Sequence, residues 1–318
     1  MSRSPRPLIH ALVLLGASTP RPASAEPLAN VPTSRVTPAP AASFAAPGAD
    51  QRPPIERAAG EFISLDPISS STTLALRASM IGYQETYAEI TAMRLGLFGQ
   101  FVSDAGVGAY ASLAASYYQR DHSISGEAGT DPIMTNVALG GLELGGVAVR
   151  RSDRVELIGR VGVVLPTAPT AGEQGALTNL LATYAQVSDI ATATPRSTWL
   201  RLSASPVLRS GRWIVRVDLG LDVPLSTADG APSHALGRLN AAAGLLLGRR
   251  HQLSLETATA GDLRAHDDAR VLHSAGFSYR VLGRWQPFVG IHQTWGHDSA
   301  VAPETFATAA MGGVATEL

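Results

Sequence analysis

The stretch from Trp213 to Val223 alternates strictly between apolar and polar-compatible positions. Its odd-numbered positions are all apolar, whereas its even-numbered positions include Arg216, Asp218 and Asp222. A period of two residues indicates a β-strand whose two faces meet different surroundings. About eleven residues is the length that a tilted strand needs to cross a bilayer.

Similar segments recur from residue 72 onward, although 87–98 and 135–149 are blurred by small residues on both faces. The pattern predicts twelve strands, at 72–82, 87–98, 106–118, 135–149, 155–165, 197–208, 213–223, 235–247, 252–260, 270–280, 285–295 and 305–315.

The connections between these strands alternate in length. Short turns lie at 150–154, 210–212, 248–251 and 282–284, and longer connections lie at 121–135, 166–196, 224–234 and 261–269. Such alternation is typical of outer-membrane barrels, whose short turns are periplasmic. We therefore predict an all-β fold, a closed antiparallel transmembrane β-barrel of about 12 strands with both termini in the periplasm. The competing fold, a secreted β-sandwich, would need more aromatic residues in its strand centres.

Aromatic residues concentrate at the predicted strand ends, where a ring with one polar edge suits the lipid headgroup level. Trp285 and Trp295 share one face, and ten residues of tilted strand separate them by about 24 Å across the membrane. An outer-membrane barrel has an apolar band of about 25 Å between two aromatic girdles. The predicted girdle comprises Tyr117, Trp199, Trp213, Tyr279, Trp285 and Trp295.

The N-terminal region has the composition of an export signal followed by a linker. A short basic start, an apolar stretch at 8–17 and the small residues at 23–25 predict a signal peptide over 1–25. Residues 26–65 are rich in Pro and Ala and predict a disordered spacer, so the barrel is expected at 66–318. The net charge of -1 gives no reason to expect a nucleic-acid partner, and the chain has no Cys.

Two strand-to-loop transitions, Val163-Val164-Leu165-Pro166-Thr167 and Leu221-Asp222-Val223-Pro224-Leu225, carry a family resemblance. They resemble those of the Gram-negative outer-membrane barrels associated with phenol meta-cleavage pathways and their porin-like uptake relatives. The resemblance implies a channel of the outer membrane that takes up small solutes.

The polar faces of the strands predict a charged lumen. Its candidate pore-lining residues are Arg77, Glu156, Arg160, Arg201, Arg216, Asp218, Asp222, Arg238 and Glu256. These charges either select solutes or neutralise one another as struts that fill a narrow barrel. Asp222 and Arg238 flank one connection symmetrically, which predicts a partly solvated ion pair at the outer end, worth at most about 1 kcal/mol.

The longest connection, 166–196, predicts a helix at the extracellular mouth, because Leu177, Leu180, Leu181 and Tyr184 recur at helical spacing. A connection of about 30 residues usually has a role or internal structure. The helix either packs against neighbouring loops or folds into the lumen as a gating loop.

Little in the sequence points to catalysis. His297 and Ser299 resemble the pair of an outer-membrane lipid hydrolase, but a two-residue match is common by chance. The run at 266–268 lacks further metal ligands, so no metal and no cofactor is predicted. The expected partners are outer-membrane lipid, small solutes and the barrel-assembly machinery. The functions left open are a channel, a lipid hydrolase and a closed structural barrel.

Overall fold

A computed structural model describes residues 62, 67–85, 88–121, 134–152, 154–167, 178, 183–194, 196–227, 234–264, 271–298 and 302–318. These residues all belong to one compact unit. The predicted signal peptide at 1–25 lies outside the described residues. None of the helices in the described part of the chain is long and apolar enough to span a membrane.

Thirteen strands make up nearly all of the described chain, in agreement with the all-β prediction. They are β1 (Thr73–Glu85), β2 (Ala88–Val102), β3 (Val107–Asp121), β4 (Met134–Leu139), β5 (Leu142–Arg151), β6 (Val155–Leu165), β7 (Thr198–Ser210), β8 (Trp213–Ser226), β9 (Leu236–Leu247), β10 (His251–Asp262), β11 (Val271–Val281), β12 (Trp285–Asp298) and β13 (Ala302–Glu317).

The sheet closes on itself because β1 pairs antiparallel with both β2 and β13. Strands β4 and β5 lie end to end beside β3, with 115–120 of β3 facing β4 and 107–112 facing β5. They therefore share one position in the wall, and the barrel has twelve positions. The predicted closed antiparallel barrel of about twelve strands is confirmed, but the prediction of one continuous strand over 135–149 is wrong.

The interruption falls at Gly140 and Gly141. The amide of Gly140 donates to the carbonyl of Ala114 at 2.8 Å, whereas the amide of Gly141 donates to the carbonyl of Thr192 at 2.7 Å. A Cβ atom on Gly141 would clash with Cγ1 of Val164, so any other residue would require the Val164 side chain or the backbone to shift. The connection between β6 and β7 thus completes the hydrogen bonding of the wall at this point.

The outer surface of the barrel is apolar. Leu76, Leu95, Leu219 and Leu255 are each close to half exposed, and they represent the outward positions of strands around the barrel. Monomeric soluble proteins rarely expose apolar surface on this scale, whereas a lipid-facing barrel requires it. The inward positions are buried and mostly polar or small, so the period of two seen in the sequence separates lipid-facing from lumenal positions.

Two apolar clusters lie inside the barrel, one towards each end. The first, near the long connections, includes Tyr184 and Trp199. The second, near the short turns, includes Phe62, Ile68 and Tyr110. Phe62 belongs to the predicted spacer at 26–65, yet it is almost completely buried in this cluster. This residue of the predicted spacer therefore packs inside the barrel.

Candidate functional site: the lumen

The inner wall carries a middle layer of charged side chains between the two apolar clusters. All nine residues that the sequence singled out as pore-lining are buried on the inner face. Counting every buried charged residue in the described part of the chain gives seven Arg and five Asp or Glu.

A chain of ion pairs runs along the inner wall across β5, β7, β8 and β9. Arg201 donates to Glu143 through Nη1 at 2.7 Å and to Asp222 through Nε at 3.2 Å. The same Oδ1 atom of Asp222 accepts from Nη2 of Arg238 at 2.9 Å. Tyr110 extends the chain, because its hydroxyl donates to Glu143 at 2.7 Å. With Tyr110 included, the chain links five strands of the wall through charge-assisted hydrogen bonds.

The structure contains the predicted pair of Asp222 and Arg238 but corrects its surroundings. Asp222 is completely buried, and the side chain of Arg238 is 2% exposed. The expectation of a partly solvated pair is therefore wrong. The reason is that the connection between β6 and β7 fills the outer end of the lumen, where Arg201 also donates through Nη2 to the carbonyl of Ser188 at 3.0 Å.

A second charged group holds residues 67–72, which we call the N-terminal segment, inside the end with the short turns. Arg216 forms a bidentate pair with Asp218 at 2.6 and 2.9 Å and donates to the carbonyl of Ile68 at 3.0 Å. Gln100 donates to the carbonyls of Ser69 and Ser71 at 2.6 and 3.0 Å. Backbone carbonyls inside the barrel thus find donors on the wall, as buried polar groups require.

The outer end of the lumen is occupied by residues 183–194, which we call the lumenal loop. It contains a 3-10 turn (Val187–Asp189) and one helical turn, α1 (Ile190–Ala193). Tyr184, Ser188 and Ala191 are completely buried. The 3-10 turn packs against β10 and β11, and the hydroxyl of Thr294 donates to the carbonyl of Tyr184 at 2.7 Å. Of the two placements expected for this connection, the described part has the inward one.

Arg94 of β2 is the main polar anchor of the lumenal loop. Its Nη2 atom donates to Oδ2 of Asp189 at 3.2 Å and to the hydroxyl of Thr192 at 2.8 Å. The side chain of Asp189 is 15% exposed, so this ion pair is the more accessible part of the contact. The other predicted gating residues, Leu177, Leu180 and Leu181, lie outside the described residues.

A cavity of about 20 Å³ remains between the lumenal loop and the N-terminal segment, enough for about one water molecule. Its lining includes Pro67 of the N-terminal segment and Gln186 and Asp189 of the lumenal loop. Arg77 and Arg160 contribute from the wall. The charged layer thus lies between two inserted segments of the chain.

Five of the six predicted girdle residues lie at the outer surface. Trp213, Trp285, Trp295 and Tyr279 are exposed, and Tyr117 is partly exposed. The sixth prediction is wrong: Trp199 points inward, is 0% exposed and packs in the first apolar cluster, near the long connections. Successive residues of a strand face opposite sides. Trp199 therefore faces away from its neighbour Leu200 and shares the inner face with Arg201, two residues further along β7.

The residues considered for catalysis are not assembled into a site by the described structure. The backbone of His297 pairs with Val271 in the ladder between β12 and β11, and Ser299 lies outside the described residues. The run at 266–268 also lies outside them. Among the described residues, no group of three or more His, Cys, Asp or Glu side chains is placed to hold a metal ion.

Sequence reasoning missed two residues that organise the lumen, Arg94 and Glu143. Both alternate with outward leucines, Leu95 on β2 and Leu144 on β5. That alternation was the available signal, but the small residues in both segments blurred it. Glu143 also follows the Gly140-Gly141 interruption, which shifts the face of every residue after it relative to a continuous strand.

No protein-family model matches the chain, and no curated protein matches it. Solved structures similar to it include the NanC porin, with 7% identity over 77% of this chain and 100% of that one and a TM-score of 0.47. They also include an outer-membrane channel from Pseudomonas putida F1, with 11% identity, 79% and 99% coverage and a TM-score of 0.46. A third is the translocator domain of the autotransporter NalP from Neisseria meningitidis, with 10% identity, 78% and 89% coverage and a TM-score of 0.46. TM-scores below 0.5 do not establish a shared function, so the barrel is assigned from the strand pairing of this chain.

Proposed function

We propose that this protein is an outer-membrane channel for the passive or selective uptake of small solutes, closed in the described structure by its own lumenal loop. The observation that carries the proposal is a charged, polar inner wall inside a barrel with an apolar outer surface. Apolar side chains alone would fill a purely structural barrel more stably, because buried ion pairs often do not repay their desolvation.

The lumenal loop has the attachments expected of a movable gate. Side chains of Arg94, Arg201 and Thr294 donate to it from the wall, and the backbone amide of Gly141 donates to the carbonyl of Thr192. Water could accept from each of these wall donors when the loop leaves the lumen, and two of the four donors are charged. Tyr184 and its apolar neighbours favour the closed arrangement, so opening is expected to be infrequent.

The charge of the buried wall suggests the class of solute. Seven Arg face five Asp or Glu among the buried residues that the structure describes. Rings of Arg or Lys favour anions in pores. The proposal is therefore a weak preference for small anionic solutes, with the acidic residues limiting its strength.

Planar-bilayer conductance tests the channel. In the test variant, residues 184–193 are replaced by a Gly-Ser linker of equal length, which keeps the connection between β6 and β7. In the control variant, residues 265–270 are replaced in the same way. We expect low or intermittent conductance in the unmodified protein, a several-fold rise and an anion preference in the test variant, and no change in the control.

A closed structural barrel is the second candidate, and one observation favours it. The N-terminal segment and the lumenal loop enter the described lumen from opposite ends, and the cavity between them is small. If the test variant inserts into bilayers and conducts no ions, the barrel is structural and the channel proposal fails. The proposal also describes a protein without enzymatic activity, so lipid release that disappears in Ser299→Ala would contradict it.

A further inference from the structure

The end of the barrel with the short turns carries a group of exposed arginines. We call this group the basic collar, and its members are Arg150, Arg154, Arg212, Arg249, Arg250 and Arg284. All six are exposed, and the ion pairs formed by the described residues include none of them. Their guanidinium groups are therefore available to a partner outside the chain.

Backbone hydrogen bonds fix the collar as one continuous rim. The amide of Arg209 donates to the carbonyl of Arg154 at 2.9 Å, and the amide of Leu246 donates to the carbonyl of Arg212 at 2.8 Å. The amide of Leu282 donates to the carbonyl of Arg250 at 2.7 Å. Each turn is thus joined to the next hairpin along the barrel. Because these turns are two strands apart, they follow one another at intervals of about 10 Å.

Tight turn geometry holds the arginines at the rim. Gly211 and Gly248 adopt positive φ angles of 59° and 68°, which other residues rarely adopt. Each glycine directly precedes a collar arginine, Arg212 or Arg249. The turns are short and anchored at both strands, so the collar is fixed in place before any partner binds.

Exposed aromatic rings adjoin the collar on the lipid-facing surface. Trp213 follows Arg212, and Trp285 follows Arg284. Tyr279 lies beside the third turn, where its hydroxyl is 2.6 Å from Nδ1 of His251. Aromatic girdles sit at the headgroup level of a bilayer. Arg212 and Arg284 lie one residue further from the membrane centre than these tryptophans, and therefore at the level of the lipid phosphates.

The sequence of the long connections has the opposite balance of charge. Acidic residues such as Asp229, Asp267 and Asp268 outnumber arginines in these connections. The short turns contain two acidic residues in the sequence, Asp104 and Asp153, against the six arginines of the collar. The contrast makes the collar a specific feature of one end rather than a property of the whole surface.

From these observations we infer that the basic collar binds the phosphate groups of anionic phospholipids in the leaflet next to the short turns. Arg presents a planar fork that matches phosphate oxygens in a bidentate way. A basic residue near an anionic membrane surface strengthens binding by about fivefold. The inference rests on the membrane placement in the proposed function, but it does not require that the barrel conducts.

Tryptophan quenching by brominated lipids tests the inference. In a Trp295→Phe background, the exposed tryptophans are Trp213 and Trp285, both beside the collar, while Trp199 is shielded inside the barrel. The folded barrel is placed in vesicles of zwitterionic phosphatidylcholine that contain either brominated phosphatidylcholine or brominated phosphatidylglycerol at equal amounts. We expect phosphatidylglycerol to be favoured about fivefold or more at these two tryptophans.

The collar variant carries Arg212→Gln, Arg250→Gln and Arg284→Gln, and the matched control is Arg264→Gln, an exposed arginine at the opposite end. The preference should fall to about onefold in the collar variant and persist in the control. In the unmodified barrel it should also fall steeply between 0.05 and 0.5 M salt, because salt screens exposed charges. This second measurement needs no arginine substitution.

The remaining outcomes are decisive as well. Equal quenching by the two lipids, or a preference that survives in the collar variant, overturns the inference while leaving the channel proposal intact. Collar-dependent sedimentation with an anionic cell-wall polymer, without any lipid preference, also overturns it and assigns the collar to that polymer. A barrel that does not float with phosphatidylcholine vesicles at all refutes the membrane placement, and with it both proposals.

Discussion

Replacing Asp222 by Asn should destabilise the barrel strongly, although the change removes only a charge. The carboxylate is completely buried and accepts from Nε of Arg201 at 3.2 Å and from Nη2 of Arg238 at 2.9 Å. Asn keeps the shape and one acceptor oxygen, but two buried cations lose the negative charge between them. Removing one partner of a buried ion pair typically costs about 3–5 kcal/mol.

The lower end of this range applies here, because Arg201 keeps other partners. Its Nη1 atom remains 2.7 Å from Glu143, and its Nη2 atom remains 3.0 Å from the carbonyl of Ser188. We therefore expect a loss of about 3 kcal/mol in the free energy of unfolding. With a urea dependence near 3 kcal/mol per molar, the unfolding midpoint should fall by about 1 M.

Urea unfolding in lipid vesicles, followed by tryptophan fluorescence, measures this shift. Asp104→Asn is the matched control, because Asp104 is exposed in a turn and its loss should change stability by less than about 0.5 kcal/mol. The double variant of Asp222→Asn and Arg238→Gln should be less destabilised than the sum of the two single variants. A midpoint for Asp222→Asn equal to that of the control would refute the argument that this carboxylate holds the wall together.

The remaining predictions concern the two faces of the barrel. Leu219→Arg, in the middle of the outward face of β8, should cost about 2–4 kcal/mol of stability in vesicles, and a cost near zero would count against lipid contact. Trp199 should fluoresce at short wavelength and resist both aqueous iodide and brominated lipid; loss of a quenchable component in Trp199→Phe would show that it is outside. Gly162→Ala should cost about 1–3 kcal/mol by urea unfolding, because its Cβ would lie 2.1 Å from the Tyr110 hydroxyl. Adding Tyr110→Phe should restore part of that loss, and an unrelieved double variant would place the clash elsewhere.

The strands could be predicted because one physical contrast governs every position. Lipid outside and polar groups inside impose a period of two, and β8 shows it in Trp213 and Arg216 as clearly in the structure as in the sequence. The contrast fades where both faces carry small residues. Gly140 and Gly141 illustrate this, because two glycines are compatible both with a break between two strands and with one continuous strand whose pattern is weak.

The contents of the lumen could be predicted only in part. The inward direction of Arg201 and Asp222 follows from the strand pattern, but their joint contact with Glu143 depends on which strands become neighbours. The inward placement of Trp199 was hidden by a general tendency of tryptophan to mark strand ends at the membrane surface. The alternation of side chains along a strand predicts whether a residue points inward or outward more reliably than its residue type does, because the alternation follows from backbone geometry.

The bond between Gly141 and Thr192 has a consequence for how the molecule is made. Thr192 follows Gly141 by about fifty positions in the chain, and two further strand segments, β5 and β6, lie between them. The break between β4 and β5 therefore cannot complete its hydrogen bonding until a later portion of the chain is in place. Closure of the barrel and insertion of the lumenal loop are therefore coupled. A barrel that closed before the loop entered would leave the amide of Gly141 without its hydrogen bond to Thr192. Slow insertion of that later portion would thus delay closure of the cylinder itself.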